Sequence, residues 1–365
     1  MALDQLRGLC LAIIVVDHIN LFPSLLEFVT GRGLLWVTAA EGFFFISGLM
    51  VGLVRGRQAA RQGFAAARRK LLGRAGQLYV TSVILTLLYT LLGYWLNHKG
   101  IEGSKHGLTY FDSGWQFLAH TFSQLYTYGW SDFLAYYAVY LLLAPVALWL
   151  LLRGKWRWVL GLSLTGWILP WLWEDVLTPM GLRWQIYFFG GMVAGFYYDR
   201  IRAWWYERSP RLRRRLTIDL AVTSGVGLVA SIMIMVWPVI WGGTHTDFLD
   251  TLRWIAASDL YQDLFQHDRT GLLRPAYFLA LFSMLYLIFQ RYQAEIHRWA
   301  GWLLEPLGAN SLYVYIMHGP FVFALPLLGL GAPTTYWANT LIPLTVILGV
   351  WVLVKHRILF GIVPR

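Results

Sequence analysis

Apolar runs of about twenty residues recur along the whole 365-residue chain. A run of that length, folded as an α-helix, crosses the hydrocarbon core of a bilayer. Hydrophobic residues make up 58% of the chain, and no charged tract is long enough to indicate a large soluble domain. The pattern predicts an all-α integral membrane protein whose residues 1–365 form a single domain.

About ten segments of the chain have the length and apolarity expected of transmembrane helices. With the N-terminus placed in the cytoplasm, most of the 30 lysines and arginines fall in cytoplasmic loops, as membrane proteins prefer. We therefore predict an even number of spans and two cytoplasmic termini. The predicted segments are 8–26, 34–54, 76–96, 133–152, 158–173, 184–198, 217–237, 275–290, 309–330 and 337–354.

The net charge of +11 does not indicate nucleic-acid binding, because the basic residues lie in short loops between apolar runs. The single cysteine, Cys10, excludes an intrachain disulfide and a thiolate metal cluster. The loop histidines lack the spacing of metal ligands on a helix, so no metal site is predicted.

Two long loops, about 97–132 and 238–274, are predicted on the outer side of the membrane. Both combine aromatic residues with acids and histidines. Tryptophan and tyrosine favour the membrane interface, so an interfacial belt explains the aromatic residues. A platform for stacking sugars is the alternative, since long loops often carry function.

Asp17 and His18 stand side by side near the middle of the first apolar segment. Ionisable groups inside a membrane are costly, and they are usually paired and functional. A structural hydrogen-bonded Asp–His pair is the alternative. If the pair is functional, it suits general-base chemistry or a proton relay in a transporter or flippase.

Arg7 precedes His18 by eleven residues, which on an α-helix is about three turns and a rise of ~16 Å. Both side chains therefore lie on one helix face, Arg7 at the cytoplasmic end and His18 deep in the membrane. This arrangement suits a long anionic substrate whose reactive end reaches the histidine. An arginine that extends from the end of the helix to the interface is an equally ordinary explanation.

Glu41 lies near the start of the second apolar segment, at about the predicted depth of His18. Its carboxylate could orient the imidazole, or it could be a helix-entry carboxylate near outside water. Small residues nearby, among them Gly42 and Gly48, would allow close helix packing. Ser47 is predicted to serve that packing, with a covalent role in catalysis as the alternative.

These residues resemble the OpgC-type branch of the acyltransferase-3 superfamily. The first helix of that branch is matched by Leu6-Arg7-Gly8-Leu9 with Asp17-His18-Ile19, and the second by Ala39-Ala40-Glu41 with 43–48. Further resemblances occur at Arg183-Trp184-Gln185 with 188–192 and at 68–74, and a looser one at 310–318. The resemblance implies a multi-pass enzyme of the bacterial inner membrane that O-acylates extracytoplasmic glycans.

The resemblance also implies roles for particular residues. His18 would be the catalytic base, with Asp17 or Glu41 setting its tautomer. Acyl-CoA, as succinyl-CoA or acetyl-CoA, would enter from the cytoplasm, and no permanently bound cofactor is expected. The donor phosphates would meet Arg7, Arg68, Arg69 and Arg74, and the acceptor, a periplasmic glucan or another glycan, would meet Trp184 and Gln185. His318 would share the acceptor site or serve in packing.

Overall fold

A computed structural model describes residues 2–101, 107–172, 180–266, 270–330, 332 and 334–364. Eighteen α-helices and no strand occur in these ranges. In chain order, α1 to α6 are Ala2–Ile19, Leu25–Thr30, Ala39–Met50, Gly56–Gln62, Phe64–His98 and Gly114–Phe122. Helices α7 to α12 are Asp132–Leu152, Trp156–Leu172, Met180–Phe196, Tyr198–Glu207, Pro210–Ser231 and Trp237–Ile240. Helices α13 to α18 are Asp247–Ala257, Asp259–Phe265, Arg274–Arg291, Gln293–Ala309, Ser311–Leu327 and Tyr336–Lys355.

The all-helical membrane fold predicted from the sequence is confirmed in this coarse form. Each of the ten predicted segments contains a helix, although residue 173 lies outside the described residues. Within the described ranges, five continuous helices are long and apolar enough to cross a membrane: Ala39–Gln62, Phe64–His98, Gly129–Leu152, Pro210–Ile240 and Tyr336–Lys355. The count of ten spans and the sides of the termini remain predictions.

The basic segment between the second and third apolar runs is helical, whereas we had expected a loop. A π-helical turn, Val51–Arg55, joins α3 to α4, and α5 begins at Phe64, twelve residues before the predicted span. Alanine, leucine, lysine and arginine dominate this segment and are strong helix formers. Gly63 separates α4 from α5 with a φ of +86°.

Glycines bring the central helices into backbone contact. A Cβ atom on Gly48 of α3 would lie 1.9 Å from the carbonyl oxygen of Phe188 in α9. In the opposite direction, a Cβ on Gly191 would lie 2.1 Å from the carbonyl oxygen of Phe45. The same relationship joins Gly8 of α1 to α16. Side chains larger than hydrogen do not fit at these points, so the predicted role of small residues in close packing is confirmed for Gly48.

Helix α14 packs against the end of the bundle where α3 begins. The indole ring of Trp36 stacks on Phe265 with a centroid distance of 3.8 Å. Its Nε1 donates a hydrogen bond of 2.6 Å to the hydroxyl of Tyr261. Residues 102–106 and 267–269 of the two predicted outer loops lie outside the described residues.

Candidate functional site

His18 of α1 meets His318 of α17 inside the bundle. The distance from His18 Nδ1 to His318 Nε2 is 2.7 Å, and the two rings are stacked with centroids 5.0 Å apart. His318 is fully buried. Thus the partner of the His18 imidazole is a second histidine, from a helix at the other end of the chain.

The hydrogen bonds of His318 determine the proton positions of the pair. His318 Nδ1 contacts the backbone carbonyl oxygen of Tyr315. A carbonyl oxygen can only accept, so this nitrogen carries the proton and His318 Nε2 is the acceptor in the neutral ring. His18 Nδ1 therefore donates to His318, which leaves His18 Nε2 with a free lone pair. This is the tautomer that a general base needs.

The side chain of His18 lines a cavity of about 150 Å³ between α1, α3, α7, α9 and α17. Most of its wall is aromatic, and its second ionisable group is Asp132, the first residue of α7. The lining residues are Ile14, His18, Ala40, Phe44, Asp132, Phe133, Tyr136, Trp184 and Tyr315.

Glu41 holds the start of α3 and joins it to α15. It forms a buried ion pair with Arg274, the first residue of α15. It also caps its own helix, because Glu41 Oε2 accepts hydrogen bonds from the backbone nitrogen of Thr38 at 2.9 Å and from its hydroxyl at 2.5 Å. These contacts give the carboxylate a structural role, and orientation of the His18 ring by Glu41 stays a prediction.

Asp17 points away from the histidine pair. Its Oδ2 lies 3.8 Å from where a Cβ on Gly33 would be, on the short turn between α2 and α3. Neighbouring residues of a helix are rotated by about 100°, and here the Asp17 carboxylate lies towards Gly33 while the His18 ring contacts His318. The structure assigns the orientation of the imidazole to His318 in place of Asp17.

The two predicted acceptor residues of α9 separate. Trp184 lines the His18 cavity, whereas Gln185 faces a different, largely apolar cavity of about 240 Å³ between α7, α8 and α9. Gln185 is held there by Ser163, whose hydroxyl donates to Gln185 Oε1 at 2.7 Å. Trp184 and Gln185 therefore do not line the same cavity, because one step along the helix turns the side chain to another face, and acceptor binding by Gln185 stays a prediction.

A larger cavity of about 920 Å³ lies at the predicted cytoplasmic end. Its charged lining residues are all basic: Arg7, Arg55, Arg69, Lys70 and Arg74. Three of the four predicted donor-binding arginines are thus brought together. Arg68 does not line the cavity, since the helical period puts 66, 69, 70, 73, 74 and 77 on one face of α5 and turns 68 away.

The two cavities are neighbours in the bundle, since α1, α3 and α7 line both. On α3, Phe44 lines the small cavity and Ser47 the large one, a difference in rise of ~4.5 Å. On α7, the two cavities are lined by the consecutive residues Tyr136 and Tyr137. Arg7 and His18, predicted to face one path, thus line two adjacent cavities, Arg7 the large one and His18 the small one.

Sequence reasoning missed several residues of the site: Asp132, Tyr136 and Tyr315 at the small cavity, Arg55 and Lys70 at the large one, and Arg274 beside Glu41. Asp132 had a detectable signal. It is an acid directly before an apolar run, but such acids also stabilise helix starts, so the pattern by itself did not mark a site.

A family model described as OpgC protein matches residues 1–359. No curated protein and no solved structure matches the chain significantly. The family match covers nearly the whole chain and includes both helices of the histidine pair. The chain therefore belongs to the OpgC protein family, and this membership identifies it as a membrane enzyme of the acyltransferase type.

Proposed function

We propose that this protein moves an acyl group from acyl-CoA, bound at the cytoplasmic side of a bacterial inner membrane, to a hydroxyl of a glycan on the outer side. A periplasmic glucan is the proposed acceptor class. The observation that carries the proposal is the His18–His318 contact, which leaves His18 Nε2 as a free base in a side chain that lines a small cavity.

The donor belongs to the large basic cavity. Coenzyme A carries several phosphates on a long flexible arm that ends in the thioester. Arginine and lysine side chains bind phosphate through charge-assisted hydrogen bonds, and five of them line this cavity. Its volume of about 920 Å³ lies within the range of cavities that hold whole cofactors.

To reach His18, the acyl group must extend from the large cavity into the small one. Ser47, Tyr137 and Leu141 line the large cavity on the helices that also form the small one. A thioester that extends between α3 and α7 would bring its carbonyl carbon towards the histidine. The CoA phosphates would remain with the cations of α5.

The chemistry is a direct acyl transfer. His18 Nε2 takes the proton of the acceptor hydroxyl as the oxygen attacks the thioester carbonyl carbon. The C–S bond then breaks, and the leaving thiolate takes the proton back from the His18 imidazolium. His318 accepts the hydrogen bond of His18 Nδ1 throughout, so it orients the ring and stabilises its charged form, as an acid residue does in a serine-protease triad.

The decisive experiment uses purified full-length protein with radiolabelled succinyl-CoA or acetyl-CoA and a panel of glucans. Wild type should label the glucan, and His18→Ala should lower the rate by ~10²-fold or more, the range of a lost general base. His356→Ala, at an exposed histidine after α18, is the matched control and should behave as wild type.

Equal transfer by wild type and His18→Ala would contradict the catalytic role of His18. A protein that binds no acyl-CoA but moves glycan or protons across vesicle membranes would instead support the transporter alternative. The donor panel also decides between the succinyl and acetyl groups.

A further inference from the structure

Asp132 is a second ionisable group at the small cavity, and the proposed transfer step does not use it. It is the first residue of α7, and its side chain lines the cavity together with His18. Asp132 Oδ1 accepts a hydrogen bond of 2.5 Å from the backbone nitrogen of Phe133. Among the described residues, no lysine or arginine forms an ion pair with this carboxylate.

The position of Asp132 at a helix start accounts for only part of this arrangement. A carboxylate in the first turn of a helix is favoured by the helix dipole. The dipole does not require that the side chain opens into a cavity beside the catalytic histidine. A partly buried carboxylate without a cation needs hydrogen-bond donors, and the cavity is where a ligand can supply them.

The polar groups of the cavity define what the ligand must present. An ionised carboxylate only accepts hydrogen bonds, and the free Nε2 of neutral His18 also accepts. The hydroxyl of Tyr315 already donates to the carbonyl oxygen of Trp130 at 2.6 Å. Asp132 and His18 are therefore both hydrogen-bond acceptors, and the ligand must present two hydrogen-bond donors. A pair of hydroxyls on one molecule provides them.

The size and walls of the cavity limit the ligand further. A cavity of about 150 Å³ holds one six-membered ring, as engineered cavities of that size bind benzene. Aromatic side chains such as Trp184 and Tyr136 offer flat apolar faces, and sugar rings have apolar faces to match. The negative charge of Asp132 opposes an acidic sugar or a phosphate.

We infer that the cavity is the subsite for one neutral sugar residue of the acceptor, and that Asp132 accepts a hydrogen bond from the hydroxyl next to the one that is acylated. This inference rests on the proposed function and adds to it the residue that positions the acceptor and the feature that this residue recognises: a free diol at the reacting edge of the sugar. Asp132 then acts by binding and placing the acceptor, whereas His18 moves the proton.

The test compares methyl glucoside with its monodeoxy analogues and with methyl glucuronoside, using wild type, Asp132→Asn, Asp132→Ala and the exposed control Asp112→Asn. In wild type, one monodeoxy analogue should lose ~10–100-fold in kcat/KM, the range of one hydrogen bond to a charged group. Asp132→Ala should show that loss with the parent sugar and no further loss with that analogue. The glucuronoside should be a poor acceptor for wild type and a better one, relative to the parent, for Asp132→Asn.

The loss should appear mainly in the acceptor KM, while the KM for acyl-CoA, which binds in the other cavity, stays constant. A merely structural role for Asp132 would instead lower the rates with all acceptors alike and change the KM for acyl-CoA as well, and the sensitivity to the deoxy position would persist in Asp132→Ala. That pattern would overturn the inference.

Two further outcomes distinguish a failure of this inference from a failure of the proposed function. If Asp132→Ala does not fold, the deoxy and glucuronoside series on wild type decides alone, and equal rates for all monodeoxy sugars would overturn the inference. If wild type acylates no sugar at all, the proposed function itself fails, whatever the variants do.

Discussion

Glu41 of α3 and Arg274 of α15 form an ion pair inside the protein, and both residues are at most 1% exposed. The pair joins the second apolar helix to the end of the long loop that precedes α15. Arg274 Nη1 also donates to the carbonyl oxygen of Phe265 at 3.0 Å, so one side chain ties loop and helix together.

Removal of one partner of this pair should destabilise the protein strongly. Glu41→Gln leaves the charge of Arg274 without its partner, and Arg274→Met leaves the charge of Glu41 without its partner. An uncompensated buried charge of this kind costs ~3–5 kcal/mol of stability. Thermal unfolding in detergent measures the effect. The matched control is the exposed pair of Arg57 and Asp199, 2.9 Å apart, where Asp199→Asn should cost at most ~1 kcal/mol. Equal losses at the two pairs would contradict the structural role assigned to Glu41.

His318 should control the rate of transfer through the orientation of His18. His318→Ala removes the acceptor of the His18 Nδ1 proton, and kcat should fall by ~10²-fold or more while the donor KM stays constant. His318→Asn offers a carbonyl oxygen as a new acceptor and should recover part of the rate. The contrary result is that both variants lose activity only because less protein is folded, while kcat per folded molecule stays normal. That result would rule out this role.

The basic cavity should distinguish neighbouring arginines of α5. Arg69→Ala and Arg74→Ala each remove a cation that lines the cavity, so the KM for acyl-CoA should rise by ~10–100-fold and depend less on salt. Arg68→Ala changes an exposed cation outside the lining and should alter KM by less than ~2-fold. If Arg68 and Arg69 prove equally important, the donor does not occupy the cavity in the proposed way.

Close packing of α3 on α9 should make Gly48 intolerant of any side chain. Gly48→Ala would place a Cβ 1.9 Å from the carbonyl oxygen of Phe188, and the backbones must separate at a cost of ~1–3 kcal/mol or more. Gly76→Ala on α5 is the control, since its Cβ would meet nothing within 4 Å and alanine favours helix. Circular dichroism during heating compares the two, and a stable Gly48→Ala protein would disprove the tight contact.

The membrane fold could be predicted well from local pattern. Apolar runs near the bilayer length and basic residues between them do not depend on distant contacts, which is why every predicted segment contains a helix. The least accurate part was the basic segment near 55–74. Charge indicated a loop, whereas its helix-forming residues fold into α4 and the first turns of α5.

The candidate site could be predicted only in part. The free-energy cost of an ionisable group in an apolar helix identifies His18 as a candidate functional residue. The cluster of positive charges identifies the cations of α5 as candidates for binding an anion. Sequence patterns do not show which way a side chain turns. That is why Gln185 was grouped with Trp184 at the acceptor, although the two line different cavities, and Arg68 with Arg69 and Arg74 at the donor, although Arg68 does not line their cavity.

The sequence by itself determined that this protein is a helical membrane protein with a costly histidine in its first helix, because both follow from the free energy of residues in lipid. Only the tertiary structure decided which side chains the site residues contact. His318 stands 300 positions from His18, Arg274 stands 233 positions from Glu41, and Asp132 meets the histidine across a cavity. Contacts of that kind arise from helix packing, and packing depends on the whole bundle at once.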